Sequence, residues 1–269
     1  MKLNLVGFVQ GRLSRSPVNR LQYYPKKWDR EFIIANKLGL NFIEFFSERK
    51  FNLKNLVWTR KGILNYKTKL KENYLRSYTF CDDFIISNNI NYNKTQSYLK
   101  RLIKQIKSLN IKFLILPFYG KSNLTDKNYK LYIKTLKSIT RSKKIKFLIE
   151  SNISVETFKK IEKEVNTQNL YFLYDTGNRS SLNFDPELDI IQLGKKRLKH
   201  VHIKDKNSSG TNVKLGTGKV KFNKIFRALK KIDYEGAFAF ETTRLNEPVS
   251  TMKHNIKFLK NKISSQNGR

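Results

Sequence analysis

Eight short apolar runs recur along this chain, each long enough for one β-strand: LNLVGFV (3–9), LNFIEFF (40–46), YLRSYTF (74–80), IKFLILPF (111–118), IKFLIES (145–151), LYFLYDT (170–176), LKHVHIK (198–204) and GAFAFET (236–242). Segments of helical period separate them, among them WDREFIIANKLG (28–39), TQSYLKRLIKQIKSLN (95–110), VETFKKIEKEV (155–165) and FNKIFRALKKI (222–232). Strands that are apolar almost throughout are buried on both faces, which requires a parallel sheet with helices packed against it. Eight such units close into a (β/α)8 barrel of the TIM type, and 269 residues suit one. No internal repeat and no Pro/Gly/Ser linker interrupts the pattern. The expectation is a single α/β domain over residues 1–263, with SSQNGR (264–269) as a flexible tail.

In a parallel barrel the chemistry sits at the carboxyl ends of the strands. The fifth expected strand ends in Glu150, the sixth in Asp175 and the eighth in Glu241, and the seventh carries His202 near its end. Taken singly, Glu150 reads equally well as a helix cap and Asp175 as the start of a turn before Gly177. Together they pose a problem of charge: carboxylates gathered in a cleft raise one another's pKa, and burial disfavours the ions. One divalent cation removes it. Oxygen ligands with a single imidazole suit Mn²⁺, Co²⁺, Mg²⁺ or a catalytic Zn²⁺, and the absence of thiolates argues against a structural zinc site. His200 and His202 are two of only three histidines in the chain, and strand alternation points both to the same face. Polar residues expected at the same end, where a substrate would lie, are Gln10, Arg12, Glu44, Glu156, Lys204, Lys219 and Arg244. The four basic ones among them suit an anionic substrate.

Composition limits the partners. Lys and Arg number 55 against 21 Asp and Glu, a formal charge of +34. The lysines are spread from end to end among Asn and Ile, so the charge reads as compositional drift and not as a shaped nucleic-acid face. The single cysteine, Cys81, excludes an internal disulfide framework, and its acidic neighbours Asp82 and Asp83 argue against a nucleophile. The opening MKLNLVGFVQGRL is too short in apolar residues for a signal peptide or a membrane span, which leads to the expectation of a soluble, cytoplasmic protein with no membrane partner. GTGK (216–219) lacks the spacing of a phosphate-binding P-loop and reads as the loop before a helix.

The ordered motifs LIESN, LYDTGN, HVHIKD, LGTGKVKF and AFAFET, together with the opening GFVQGRLS and LQYYPKKWDREFIIANKLGLNFIEFF, resemble the xylose isomerase-like TIM barrel superfamily of sugar phosphate isomerases and epimerases. The resemblance runs over nearly the whole chain. It implies one divalent metal ion held by Glu150, Asp175, His202 and Glu241, with His200 one layer deeper and Asp205 beside the ligands as support. It implies a carbohydrate-metabolism enzyme that takes a sugar or sugar phosphate, with Glu150 and Glu241 moving a proton through an enediolate, and barrels that commonly associate as homo-oligomers. Two departures stand out: Asn178 takes the place where ketose epimerases of the superfamily carry a substrate-contacting histidine, and their arginine after the strand-seven histidine has no clear counterpart in HIKDKNSSG. Other chemistries on the same scaffold are a sugar or inositol-type dehydratase and an apurinic-site endonuclease. The latter's three-zinc cluster needs more histidines than His200, His202 and His254 provide.

Overall fold

The computed structural model describes residues 5–16, 21–142, 144–182 and 184–267. Eight parallel strands close a barrel in the order β1 (Val6–Val9), β10 (Ala237–Phe240), β7 (Leu198–Ile203), β6 (Leu170–Asp175), β5 (Lys146–Glu150), β4 (Phe113–Pro117), β3 (Arg76–Asp82) and β2 (Phe42–Ser47). The remaining two strands, β8 (Asp205–Lys206) and β9 (Asn212–Val213), form a small antiparallel hairpin after β7. The chain divides into two compact units, Met1–Phe42 with Leu173–Arg269, and Ile43–Phe172.

In the first unit, β10 alternates small and large residues with a clear consequence. Ala237 and Ala239 are in register with His200 and His202 of β7, and Ala239 also with Gly7 of β1, so the smallest side chains stand beside the two imidazoles. Phe238 and Phe240 take the opposite face. Phe238 meets the rings of Phe226 and Tyr234 at 6.0 and 5.3 Å between centroids. Phe226 belongs to α9 (Phe222–Lys231), which buries Phe222, Ile225, Phe226 and Leu229 at helical spacing.

In the second unit, β3, β4 and β5 pair in parallel, with Pro117 opposite Glu150 at the carboxyl ends. Helix α6 (Val155–Val165) buries Val155, Phe158, Ile161 and Val165 along one stripe. Ser154 caps it, its Oγ accepting from Thr157 N at 3.1 Å, and Asn166 ends it in a left-handed conformation at φ 52°. The N-cap of that helix is thus Ser154, four residues beyond Glu150.

Two boundaries differ from the sequence pattern. The third strand begins at Arg76 and not at 74, because Tyr74 takes a left-handed turn (φ 55°) after α2 (Arg60–Glu72) and stands exposed. The strand accordingly runs on to Asp82. The last helix, α10 (Pro248–Asn267), continues through residues 264–267, which read in sequence as tail, while 268–269 lie outside the described residues. No helix among the described residues is long and apolar enough to cross a membrane.

The fully buried Phe158 sets its ring edge-on to Phe172, with centroids 5.1 Å apart. Phe158→Ala should cost about 3–5 kcal/mol of folding stability, read by urea unfolding, since the cavity it leaves is walled by a closed strand layer.

Candidate functional site

The end of β7 and the residues just beyond it organise the site in the first unit. His200 and His202 are both buried, their rings edge-on at 5.1 Å, and Phe42 packs against His200 at 6.1 Å. His200 is thus wedged between two rings, one layer below His202. The Nδ1 of His202 lies 3.3 Å from Glu241 Oε2 and 3.7 Å from Asp175 Oδ2. Asp175 ends β6 and does two jobs: its Oδ1 accepts from Asn178 N at 2.6 Å, capping the short α7 (Thr176–Arg179), while Oδ2 turns toward His202. Glu241 follows β10 directly and is buried as well.

Lys204, also buried, reaches into this group. Its Nζ is 2.9 Å from Asp175 Oδ2 and 2.7 Å from Glu241 Oε2. Thr176 Oγ1 fixes the lysine's backbone from both sides, accepting from Lys204 N at 2.9 Å and donating to Lys204 O at 2.6 Å. The other oxygen of Glu241 is held from the loop after β1: Gln22 Nε2 donates to Oε1 at 2.9 Å, and Arg12 Nη2 stands 3.7 Å away while donating to Gln22 Oε1 at 2.9 Å. Arg244 binds that loop too, through Gly11 O and through Leu21 O at 2.8 Å. Glu31 of α1 (Trp28–Lys37) accepts from Gly11 N at 2.7 Å and Leu13 N at 2.9 Å.

Burial is the main force on these charges. It raises the pKa of Asp175 against the pull of Lys204. Burial also acts upward on Glu241, but the Lys204 ammonium, His202 and Arg12 outweigh it and hold that carboxyl well below the usual carboxylate range. Desolvation, with Arg12 nearby, brings the Arg244 guanidinium down to about 10. One imidazole nitrogen and two carboxylate oxygens, all from buried residues and within 4.8 Å of one another, make a donor set that fits a divalent ion of the Mn, Mg, Co or Zn kind.

The model of the xylose isomerase-like TIM barrel family matches residues 32–262. The chain belongs to that family. Among solved structures the fold resembles L-ribulose 3-epimerase (TM-score 0.77, 14% identity, 97% of this chain and 95% of the other). It also resembles D-psicose 3-epimerase (0.74, 14%, 97% and 99%) and the IolI protein with a bound zinc atom (0.73, 15%, 98% and 99%). A curated relative, the uncharacterized protein MJ1311 of Methanocaldococcus jannaschii, is 25% identical over 122 residues, 42% of this chain. The chain thus spans about two fifths (41%) of the length of the curated relative it matches.

Within this family barrel the other residues expected from sequence are distributed unevenly. Gln10 is buried, and its amide makes no hydrogen bond among the described residues. Asn178 is half-buried and serves Asp175 through its backbone. Asp205, expected as support for the ligands, instead clasps the GTGK loop: its carboxylate accepts from Gly216 N and Gly218 N at 2.9 Å and from Val220 N at 3.3 Å. Lys219 is exposed in that loop, its backbone N donating to Lys206 O at 2.8 Å. Arg12 and Arg244, read in sequence as substrate contacts, both reach the β1 loop, and Arg12 also faces Glu241. In the second unit, Glu44 is buried and accepts from Thr79 Oγ1 at 2.8 Å, and Glu150 is buried with Tyr119 Oη at 3.4 Å from its Oε1. Glu156 is corrected from a candidate substrate contact to an outward-facing residue, because the first turn of α6 exposes it and it pairs with Lys160 at 2.7 Å.

Sequence reasoning misses Gln22, whose partner Glu241 lies 219 positions away, and Asp82, which the misplaced strand boundary hides. Asp82 ends β3 fully buried; its Oδ1 accepts from Ser47 Oγ and, at 3.1 Å, from Tyr98 Oη. Its neighbour Cys81 is buried, with Sγ 3.5 Å from Asp83 Oδ1. Burial pushes the Asp82 carboxyl up to about 6. An acid whose folded pKa is raised binds its proton more tightly in the native state, so its stabilisation is complete below the unfolded pKa and is lost as pH rises through about 6. Between about pH 4 and pH 8 the wild type should lose about 2 kcal/mol more stability than Asp82→Asn, measured by urea unfolding of both proteins.

Proposed function

We propose that this protein is a divalent-metal-dependent isomerase or epimerase of a sugar or sugar phosphate. The observation that carries the reading is the buried trio Asp175, His202 and Glu241, with His202 Nδ1 3.7 and 3.3 Å from the two carboxylates. Glu150 is assigned as the fourth ligand. It ends β5, next to β6 in the barrel order, and its motif resembles the metal-binding motif of the family. When bound, a divalent ion supplies the charge that acidifies a C–H beside a sugar carbonyl and steadies the resulting enediolate.

The protein's own groups do the rest. One of Glu241 and Glu150 accepts the proton from the carbon beside the carbonyl, and the other returns a proton to the opposite face. Return to the same carbon inverts it; return to its neighbour interconverts aldose and ketose. Gln22 and Arg12 face Oε1 of Glu241, while Oε2 faces His202 and accepts from Lys204. The names of the fold neighbours, L-ribulose 3-epimerase and D-psicose 3-epimerase, agree with a sugar substrate. Against the DNA-cleaving reading stands the third histidine, His254, which sits on α10 with its Nε2 3.1 Å from Leu215 O.

The test is solvent deuterium exchange at the carbon beside the carbonyl, followed by NMR, with ketoses and ketose phosphates in the presence of Mn²⁺. Exchange should appear with wild type and fall by about 10²–10⁴-fold in Glu241→Gln while the circular dichroism spectrum is unchanged. Exchange undiminished in the variant would remove Glu241 from the reaction.

A further inference from the structure

Lys204 follows β7 directly and stands beside two of the carboxylates proposed to hold the metal. Its Nζ lies 2.9 Å from Oδ2 of Asp175 and donates to Oε2 of Glu241 at 2.7 Å. These are the same two oxygens that face His202 Nδ1, at 3.7 and 3.3 Å. The ammonium and a divalent ion ligated by these three atoms therefore seek one place. Two cations sharing oxygens at such distances repel strongly in a buried site.

The rest of the lysine is built to hold this pose and also to leave it. Thr176 Oγ1 pins the backbone on both its N and O, so the residue itself is fixed. The aliphatic stem runs over Gly177, where a Cβ would lie 2.9 Å from Lys204 Cγ and 3.4 Å from Cε; a bare glycine is what admits the stem. Beyond Cβ the stem is a flexible chain of single bonds, so the place of the ammonium is set by side-chain torsions and not by the backbone. With Nζ in place, Lys204 and Arg12 offset the charges of Asp175 and Glu241, which makes burial of the two carboxylates tolerable.

We propose that Lys204 is a tethered cation that competes with the divalent ion for Asp175 and Glu241, and that the ion binds only as the ammonium swings off them. Lys204 thereby weakens metal binding. This rests on the metal-dependent reading above. The experiment is isothermal titration of Mn²⁺ into the full chain after chelator treatment and dialysis, for wild type, Lys204→Met, Lys204→Gln and Lys204→Arg. Gln keeps a hydrogen-bond donor for the carboxylates and serves if Met fails to fold. Each variant's fold is checked by circular dichroism and Tm. Loss of the charge should tighten Mn²⁺ binding at least about tenfold, whereas Arg, which keeps the charge, should stay near wild type. Wild type binding Mn²⁺ with the uncharged variants no tighter overturns the competition alone. Absence of Mn²⁺ binding in wild type and all variants overturns the metal-dependent reading together with it.

Discussion

Two carboxylates withdrawn from water at the end of a strand barrel need positive charge, and much of the surrounding structure exists to supply it. Asp175 and Glu241 are buried with Lys204 at 2.9 and 2.7 Å and with Arg12 at 3.7 Å from the second of them. Unpaired, either ion would be expelled or protonated. The β1 loop is shaped around that requirement: Glu31 holds the amides of Gly11 and Leu13, Arg244 holds the carbonyls of Gly11 and Leu21, and Arg12 and Gln22 are thereby delivered to Glu241. Binding chemistry and loop architecture are in this sense one electrostatic problem.

The barrel solves the steric half of it with plain alternation. Ala237, Ala239 and Gly7 give up volume on the face that His200 and His202 occupy, and Phe238 and Phe240 fill the helical side. An imidazole placed beside large neighbours would be pushed off a strand-compatible rotamer. Small residues on two adjoining strands are thus part of how His202 meets its carboxylates.

Much of this is legible in the sequence because strands announce themselves by composition and end at recognisable residues. The runs that carry Glu150, Asp175 and Glu241 mark the candidate ligands, and the spacing of His200 and His202 orients both toward one face. What escapes is set by long-range pairing or by backbone conformation. Gln22 meets Glu241 across 219 positions, a contact no local pattern encodes. Tyr74, a bulky residue in a left-handed turn, delays β3 and so conceals Asp82, since such residues rarely adopt that conformation. Lys204 is visible as a cation at the correct end, yet its partners emerge only when β6, β7 and β10 lie side by side. Asp205 shows the reverse case: proximity in sequence to His202 suggests support for it, whereas the Asp205 carboxylate accepts from the amides of a loop.

That clasp separates two kinds of sequence freedom. Asp205 gathers Gly216, Gly218 and Val220 against the end of β7, so the excursion between Lys206 and Leu215 is closed at its base whatever its tip contains. Closing a longer loop between fixed ends costs little more than closing a short one. The hairpin tip around Ser208 to Thr211, which is largely exposed, can therefore lengthen or change its polarity while Lys204 and His202 stay where they are. Divergence among barrels of this design has room to act on what approaches the site without disturbing the charges that define it.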